Sequence, residues 1–356
     1  MNDQTSKPPN YSRLLIVAGL SSLLAVGVTH FFHGSPTLVL CVGLVTLALM
    51  LSIGLFVRSR FQLSLRTLTL LLTISAVLMG LFGSRMNAAR IQKQAINSVL
   101  GLRSSSGVYP NPYSDVYYEY AELDGDFFTT QGGWLLPIWV VDVLGKDFFF
   151  AVNDIGIQNQ DLSAEDSLDS VQLEQFPSLF ISNCRLSDGA FQRIVQQKQL
   201  RELTLIDVDL NDDHLAAIAK TMPKLTRLQI GYANMRPQTT CSVTDDGVHH
   251  LLALRELTEL TIDNSKATGE CLRDLAKLPK LQHLGCSRLE MSEADVQSFR
   301  DFKMLKSVVM YETIVDEQWI PFLESLNLEW VAFTVTDKSR VDEIHDRNGK
   351  PRFAVD

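Results

Sequence analysis

The chain has 356 residues and a formal net charge of −9, which is long enough for a sizeable core and more than one domain. The charge is unevenly placed: residues 1–103 hold nine Lys or Arg and one acid, whereas the remainder holds 23 basic and 40 acidic residues. Two parts of opposite charge indicate two different surroundings. The acidic body argues against nucleic acid as a partner, because phosphates repel it.

Three uncharged apolar runs occupy the first part of the chain, at residues 14–32, 38–57 and 67–83. A spanning helix needs about 20 apolar residues, with a lower limit near 17. A second run follows the first within a few residues, which argues against a cleaved signal peptide. We therefore predict three transmembrane helices that follow a short cytoplasmic tail, residues 1–13.

Basic residues predict the orientation, since cytoplasmic loops of membrane proteins carry an excess of Lys and Arg. Five of them lie before the first span or between the second and third: Lys7, Arg13, Arg58, Arg60 and Arg66. Three others follow the third run and count against this orientation: Arg85, Arg90 and Lys93. The larger group favours a cytoplasmic N-terminus. The prediction is a multi-pass protein of the cytoplasmic (inner) membrane whose C-terminal body lies on the outer, periplasmic side.

A repeat of about 24 residues covers nearly everything after residue 150. Its units, the last of them partial, begin at Val152, Phe176, Leu200, Leu225, Leu257, Leu281, Leu305 and Leu328. In the units that begin at Phe176 and Leu200, apolar residues recur at offsets 0, +3, +5, +10, +15 and +18 from the first residue. Offsets +3 and +5 have the period of a strand, and +15 and +18 have helical spacing. A single unit cannot bury its apolar side alone, so neighbouring units must stack into a solenoid.

Three acidic hexads, LSDGAF, LNDDHL and VTDDGV, raise the possibility of a metal or acid–base site. Offset +11 of seven units, however, holds a residue that favours the N-cap of a helix: Ser163, Ser187, Asn211, Thr244, Thr268, Ser292 and Asp316. Carboxylates that follow such a cap offset the partial positive charge of the helix N-terminus. We therefore interpret the hexad as a helix cap that recurs once in each repeat unit, or coil, of the solenoid. A metal site would require the carboxylates of adjacent coils to converge.

The pattern resembles the leucine-rich repeat, L-x-x-L-x-L-x-x-N/C-x-L. Cys184 lies where that family has Asn or Cys, although the other units depart from the pattern there. The long helical half resembles the ribonuclease-inhibitor-like, cysteine-containing branch. The order of an apolar run, a basic helix, a Tyr-rich strand, WLLPIWVVDVLGKDFF and repeats resembles bacterial membrane-anchored leucine-rich-repeat proteins. The resemblance implies N-terminal transmembrane α-helices followed by an α/β solenoid, with one short parallel strand and one helix per repeat.

The remaining segments complete the predicted organisation. Residues 84–103 form a juxtamembrane helix, 104–151 a linker and N-terminal cap of the solenoid, 152–340 the repeat domain of about eight units, and 341–356 a C-terminal tail. The apolar stretch WLLPIWVVDVLG has a second interpretation, an interfacial helix that lies on lipid. The cap is favoured because this stretch runs directly into the first repeat and the ends of a solenoid must be covered.

The sequence contains no motif of a known catalytic or metal site. HExxH, G-x-S-x-G and the P-loop are all absent, so we predict that the protein is not an enzyme and holds no metal or cofactor. The cysteines form no CxxC pair. Cys241 and Cys271 could form a disulfide in an oxidising compartment, or all the repeat cysteines could be small buried residues. The sequence leaves both interpretations open.

Binding is the more promising role. Side chains at offsets +2, +4 and +6 are predicted to face the concave side of the solenoid, where aromatic and Arg residues anchor partners. The predicted partner-binding residues are Phe180, Ile206, Arg227, Tyr311 and Trp330. An insertion, residues 233–243, lengthens one unit and is a second candidate. The predicted function is a membrane-anchored module that binds an unidentified protein or peptide. The alternatives are a structural envelope protein, an accessory or sensor subunit of a membrane complex, and ordinary solvent-facing strands.

Overall fold

The computed structural model describes residues 65–105, 116–118, 123–124, 127–129, 135–231, 241–315, 319–326 and 328–335. The predicted tail 1–13, the spans 14–32 and 38–57, the C-terminal tail 341–356 and most of the insertion 233–243 lie outside these residues. The chain divides into two compact units. The first comprises residues 1–89 and 120–150, and the second comprises residues 90–119 and 151–356.

The segment before the repeats combines one long helix with short strands and two short helices. Its elements are α1 (Leu65–Ser105), β1 (Val116–Tyr118), β2 (Leu123–Asp124), β3 (Phe127–Thr129), β4 (Leu135–Pro137), α2 (Ile138–Leu144) and α3 (Lys146–Phe149). Strands β2, β3 and β4 form an antiparallel sheet in the first unit. There Arg85 Nε donates to the carbonyl of Phe148 at 2.7 Å, and its Nη2 donates to that of Phe149 at 3.2 Å. These bonds satisfy carbonyl groups at the end of α3.

The third predicted span, residues 67–83, falls within α1. Among the described residues, no helix combines the length and the apolar composition that crossing a bilayer requires. The prediction of a span at this position is therefore not supported. The uncharged run lies at the lower length limit of about 17 residues, and α1 continues from it through Arg85, Arg90 and Lys93.

The second unit contains the repeats. Its strands are β5 (Val152–Gln158), β6 (Asp161–Leu162), β7 (Ser178–Ser182), β8 (Arg185–Leu186), β9 (Glu202–Ile206), β10 (Arg227–Gly231), β11 (Glu259–Ile262), β12 (His283–Gly285), β13 (Ser307–Val315) and β14 (Trp330–Val335). Its helices are α4 (Asp188–Val195), α5 (Asp212–Thr221), α6 (Asp245–His250), α7 (Cys271–Leu275), α8 (Glu293–Gln297) and α9 (Ile320–Ser325). Short 3₁₀ turns follow several of these elements.

A nine-stranded sheet joins β1 and one strand from each of the eight coils, in the order β1-β5-β7-β9-β10-β11-β12-β13-β14. Strand β1 is antiparallel to β5, and every later pair is parallel. The register keeps equal offsets opposite each other, so that Leu203 lies between Leu179 and Leu228. The chain is therefore an α/β repeat protein in which each coil adds one parallel strand.

The repeated apolar positions form one continuous core. The side chains of Leu179, Leu203, Leu205, Leu215 and Ile218 are at most 1 % exposed. Burial of a side chain of this size contributes about 1.5–3 kcal/mol relative to its exposure to water. Because neighbouring coils cover each other's apolar side chains, the core is completed only by stacking.

The cap interpretation of the hexads is confirmed by a side-chain hydrogen bond at three helices, and at a fourth helix, α6, the predicted residue holds the N-cap position without such a bond. Ser187, Asn211, Thr244 and Ser292 are the N-cap residues of α4, α5, α6 and α8. The Oγ of Ser187 accepts a hydrogen bond from the backbone N–H of Ala190 at 3.1 Å. Asn211 and Ser292 each form a reciprocal capping box with the residue three positions later. Helix α7 departs from the pattern, because it begins after Glu270 and not directly after Thr268.

The prediction of one helix in every repeat is wrong for the first coil, which has only a 3₁₀ turn at Leu173–Gln175. The reason is local, since Ser167 and Ser170 occupy offsets +15 and +18, where the other coils have apolar residues. Without an apolar pair at helical spacing, the segment buries Leu168 and Val171 from an irregular turn instead.

A left-handed turn ends five of the strands. Offset +7 has φ between 50° and 60° at Asn159, Asn183, Asp207, Asn264 and Arg288. Asn and Asp adopt this conformation more readily than most side chains. The amide of Asn183 also donates to Oδ1 of Asn159 in the preceding coil at 2.6 Å. The turn redirects each coil after its strand and links adjacent coils.

The first coil is covered by the end of α1 and by β1. Ile96 and Val99 are buried in the repeat core, and the Oγ of Ser98 accepts a hydrogen bond from the backbone N–H of Gln172 at 3.2 Å. Strand β1 hydrogen-bonds the outer edge of β5. Part of the cover thus comes from the segment predicted as a juxtamembrane helix, and part from residues 104–151.

Candidate partner-binding surface

We call the side of the sheet that carries offsets +2, +4 and +6 the strand face. In β7, Ser178, Phe180 and Ser182 are partly exposed while Leu179 and Ile181 are buried. This alternation arises because successive side chains of a strand point to opposite faces. In β7 the strand face is therefore accessible to solvent, with one side chain at each of these three offsets.

Arg227 lies in the +2 row, opposite Glu202 on one neighbouring strand and Glu259 on the other. Its Nη1 donates to Glu202 Oε2 at 3.0 Å, and its Nε and Nη2 donate to the two oxygens of Glu259 at 2.5 Å and 3.0 Å. The hydrogen bond with Glu259 raises the pKa of Arg227, and the charges of Glu202 and Asp154 act in the same direction. The cation predicted to bind a partner is thus already paired within the sheet.

Phe180 and Trp330 both offer aromatic surface on the strand face. Phe180 is half-buried in the +4 row between Gly156 and Thr204. Trp330 is 39 % exposed and lies opposite Ser307. Six strand spacings separate them in the sheet order, roughly 29 Å at about 4.8 Å per strand. They could contact one extended partner but do not form a single pocket.

Ile206 is only 5 % exposed, which leaves its side chain little surface for a partner. The expected alternation stops here because Leu205 and Ile206 are both buried where β9 enters the left-handed turn at Asp207. Tyr311 lies in β13, where the register with β14 is interrupted between Met310 and Ile314. Phe180, Arg227 and Trp330 carry accessible atoms on the strand face.

The floor of the strand face is tightly packed near β10. Gly231 has φ +134°, and a Cβ atom there would lie 2.1 Å from the carbonyl oxygen of Asp263. The Oδ1 of Asp263 accepts a hydrogen bond from the backbone N–H of Ser287 at 2.9 Å. Burial raises the pKa of this carboxyl. These contacts hold β10, β11 and β12 together at the end of their strands.

The hexad carboxylates have a second role that the sequence did not show. Thr244 donates from its backbone N–H and its Oγ1 to the two oxygens of Asp212 in the preceding coil, both at 2.7 Å. Thr268 binds Asp245 in the same way, both bonds at 2.8 Å. We call these two pairs the Asp–Thr ladder. It joins the first helical turn of one coil to the Thr at offset +11 of the next coil. The sequence signal for it is an Asp in the first helical turn followed by a Thr at that offset in the next coil.

The carboxylates of adjacent coils do not converge on a metal. No group of three or more His, Cys, Asp or Glu side chains in the described part of the chain is arranged to hold an ion. The hydroxyl and N–H donors of the Asp–Thr ladder occupy oxygens that a cation would need. The hexads thus act as structural links.

The repeat cysteines are small core residues. Cys184, Cys241, Cys271 and Cys286 are buried free thiols. Burial raises the pKa of Cys184 to about 11 and that of Cys271 to about 12. The sulfur of Cys184 donates to the carbonyls of Ser182 and Ile157, and it accepts from the N–H of Gln160. The thiol therefore bridges two coils, and the alternative of a Cys241–Cys271 disulfide is not realised.

Comparisons with known proteins found little. No protein-family model matches the chain, and no curated protein matches it. Among solved structures, the chain is similar to internalin C2 from Listeria monocytogenes str. 4b F2365, with a TM-score of 0.33 and 17% sequence identity. The match covers 58% of this chain and 87% of that one.

Proposed function

We propose that the protein is a leucine-rich-repeat-type interaction module that binds an extended polypeptide along its strand face. The main support is the alignment of side chains on that face. Phe180 and Trp330 expose aromatic surface there, at opposite ends of a polar strip. Aromatic side chains supply large contact area at low entropic cost. The polar rows between them suit a partner that adds hydrogen bonds along its length.

Membrane attachment is part of this proposal and rests on the sequence. The apolar, uncharged runs 14–32 and 38–57 are long enough to span a bilayer. The orientation proposed from the basic residues places the repeats outside the cytoplasmic membrane. Labelling of Lys220 and Lys224 by a membrane-impermeant amine reagent in intact cells would support that orientation. Labelling only after lysis would place the repeats in the cytosol.

Site-specific photo-crosslinking tests the proposed binding face. A photoreactive amino acid is placed at Thr204 or Thr261, which lie on the strand face, or at Gln192 in α4 as an exposed helix control. Cross-links to one discrete polypeptide from the strand-face positions alone would support the proposal. The substitution Trp330→Ala should then lower their yield.

Two results would count against binding at the strand face. Equal cross-linking from the helix control would move the contact elsewhere. No discrete product from any position would favour the structural envelope role instead. A discrete product formed only when the photoreactive residue is placed within residues 14–57 would favour an accessory subunit, in which the apolar runs contact another membrane protein.

A further inference from the structure

The two long edges of the solenoid carry opposite charge. Because every strand from β5 to β14 runs in the same direction, the residues that precede the strands lie at one edge and those that follow lie at the other. Five exposed cations, one from each of five successive coils, define the basic edge: Lys198, Lys224, Arg255, Lys280 and Lys303. Five exposed carboxylates, also one per coil, define the acidic edge: Asp188, Asp213, Asp246, Glu270 and Glu293.

Each edge keeps the sign of its net charge although it also contains residues of the opposite charge. Glu256 and Asp301 reduce the positive charge of the basic edge, and Arg185, Lys266 and Arg288 reduce the negative charge of the acidic edge. Only Lys280 of the five basic-edge residues forms an ion pair with a described residue, with Glu256 at 2.6 Å. Both partners are about half exposed, so this pair is weakened by solvent. The other four cations have no carboxylate within ion-pair distance in the described part of the chain.

Helix dipoles explain only the acidic edge. Its carboxylates lie in or beside the first turn of a helix, where negative charge is favoured. On the opposite edge, Lys198 and Lys224 each follow the end of a helix by three residues. The dipole effect falls off within the last turn. The helix dipole therefore does not account for the basic array.

We propose that the basic edge of one copy docks on the acidic edge of a second copy, so that solenoids associate side by side. Both arrays advance by one coil, about 4.8 Å per step, so a second copy matches the spacing at every coil. A polyanion of another chemistry has no reason to share that spacing. Since each copy carries both edges, the contact is heterologous and leads to open chains of copies.

Sedimentation velocity of the full-length chain in a mild detergent tests the proposal. We expect association at about 0.01 M ionic strength and dissociation at about 1 M, because the Debye length falls from roughly 30 Å to roughly 3 Å. The basic-edge variant combines Lys224→Glu, Arg255→Glu and Lys280→Glu. The acidic-edge variant combines Asp213→Lys, Asp246→Lys and Glu270→Lys. Each variant alone should lose self-association, and an equimolar mixture should restore it.

Controls separate edge contacts from other causes. The pair Gln192→Glu and Lys220→Glu adds negative charge on the helix surface and should leave association unchanged. Circular dichroism checks the fold, and Asp213→Asn, Asp246→Asn and Glu270→Gln replace the acidic-edge variant if it does not fold. In that case the neutral variant should reduce association, and it should also pair less well with the wild-type chain.

Several outcomes would overturn the proposal. One is a wild-type chain that stays a single species at low ionic strength. Another is association that salt does not change, as contacts between apolar runs would give. Binding of the basic edge to vesicles of anionic lipid, without self-association, would assign that edge to a membrane surface. Failure of any of these tests leaves the proposed strand-face function untouched, because the two surfaces share no residue.

Discussion

Adjacent carboxylates at the start of α5 have different partners. Asp212 accepts both donors of Thr244, whereas Asp213 is exposed and lies on the acidic edge. Both carboxylates interact favourably with the helix dipole. The difference in stability between variants of the two therefore measures the contribution of the Asp–Thr ladder. Asp212→Ala should lower the free energy of unfolding by about 1–3 kcal/mol, because two donors of Thr244 lose their acceptor. Asp213→Ala should lower it by only about 0.3–1 kcal/mol.

Urea denaturation of both variants measures this difference. A double-mutant cycle of Asp212→Ala with Thr244→Val should give a coupling of about 0.5–3 kcal/mol. Equal effects of the two Ala variants, with no coupling, would mean that the ladder adds nothing beyond the dipole interaction.

Gly247 is required by the same ladder. A Cβ atom at this position would lie 2.2 Å from Oδ1 of Asp212. Gly247→Ala should therefore destabilise the protein by about 1–3 kcal/mol through overpacking. Gly101→Ala is the matched control, since that glycine is in α1 with no atom near its Cβ position. The control should stabilise by about 0.5–1 kcal/mol, and a thermal melt that ranks the two variants in the opposite order would contradict the packing argument.

The buried thiols predict a dependence on alkaline pH. The pKa of Cys184 and that of Cys271 are raised in the fold to about 11 and about 12, so these thiols ionise at lower pH in the unfolded chain. Stability is then fully present below about pH 8.5, the ordinary thiol pKa, and is lost as pH rises above it. Replacing Cys184 by Ala should flatten this loss. Native protein at pH 8 should react with iodoacetamide far more slowly than urea-unfolded protein, and equal rates would disprove the burial of the thiols.

At the scale of elements, local patterns were predictable and contacts between coils were not. The N-caps at Ser187 and Asn211 follow from residue type and the helical spacing that comes after them. The sheet register follows from equal offsets. The pairing of Arg227 with Glu202 and Glu259 depends on which side chains become neighbours only after stacking. For that reason the sequence identified Arg227 as a partner-binding cation and missed its role in the sheet.

Two elements differ from expectation for reasons visible in single residues. The first coil lacks a helix because serines replace the apolar residues at offsets +15 and +18. Ile206 is buried because the strand alternation ends one residue before a left-handed turn. The common repeat pattern does not predict either effect, because it describes the residues that the coils share. Both effects arise from residues in which one coil differs from the others.

The charge distribution of the second unit follows from its repetition. Four coils place acids in the first turn of their helix, and these helices follow strands that run in the same direction. The preference for an acid at a helix N-terminus is worth only a fraction of a kcal/mol per coil. Because it recurs in successive coils, the acids line up into a charged edge. The same repetition explains why the arrays on the two edges have equal spacing, the property on which side-by-side association depends.

Stacking also determines how far a destabilising substitution at one end of the solenoid should affect the other coils. Ile96, in the part of α1 that covers the first coil, is 6% exposed, whereas the nearby Leu100 is 38% exposed. Ile96→Ala should cost about 2–5 kcal/mol of local stability, and Leu100→Ala well under that. Because a coil in a solenoid contacts only its neighbours, hydrogen exchange should accelerate strongly in β5, less in β7 and hardly in β11 or β12. Equal acceleration in every strand would show instead that the second unit unfolds as one cooperative block.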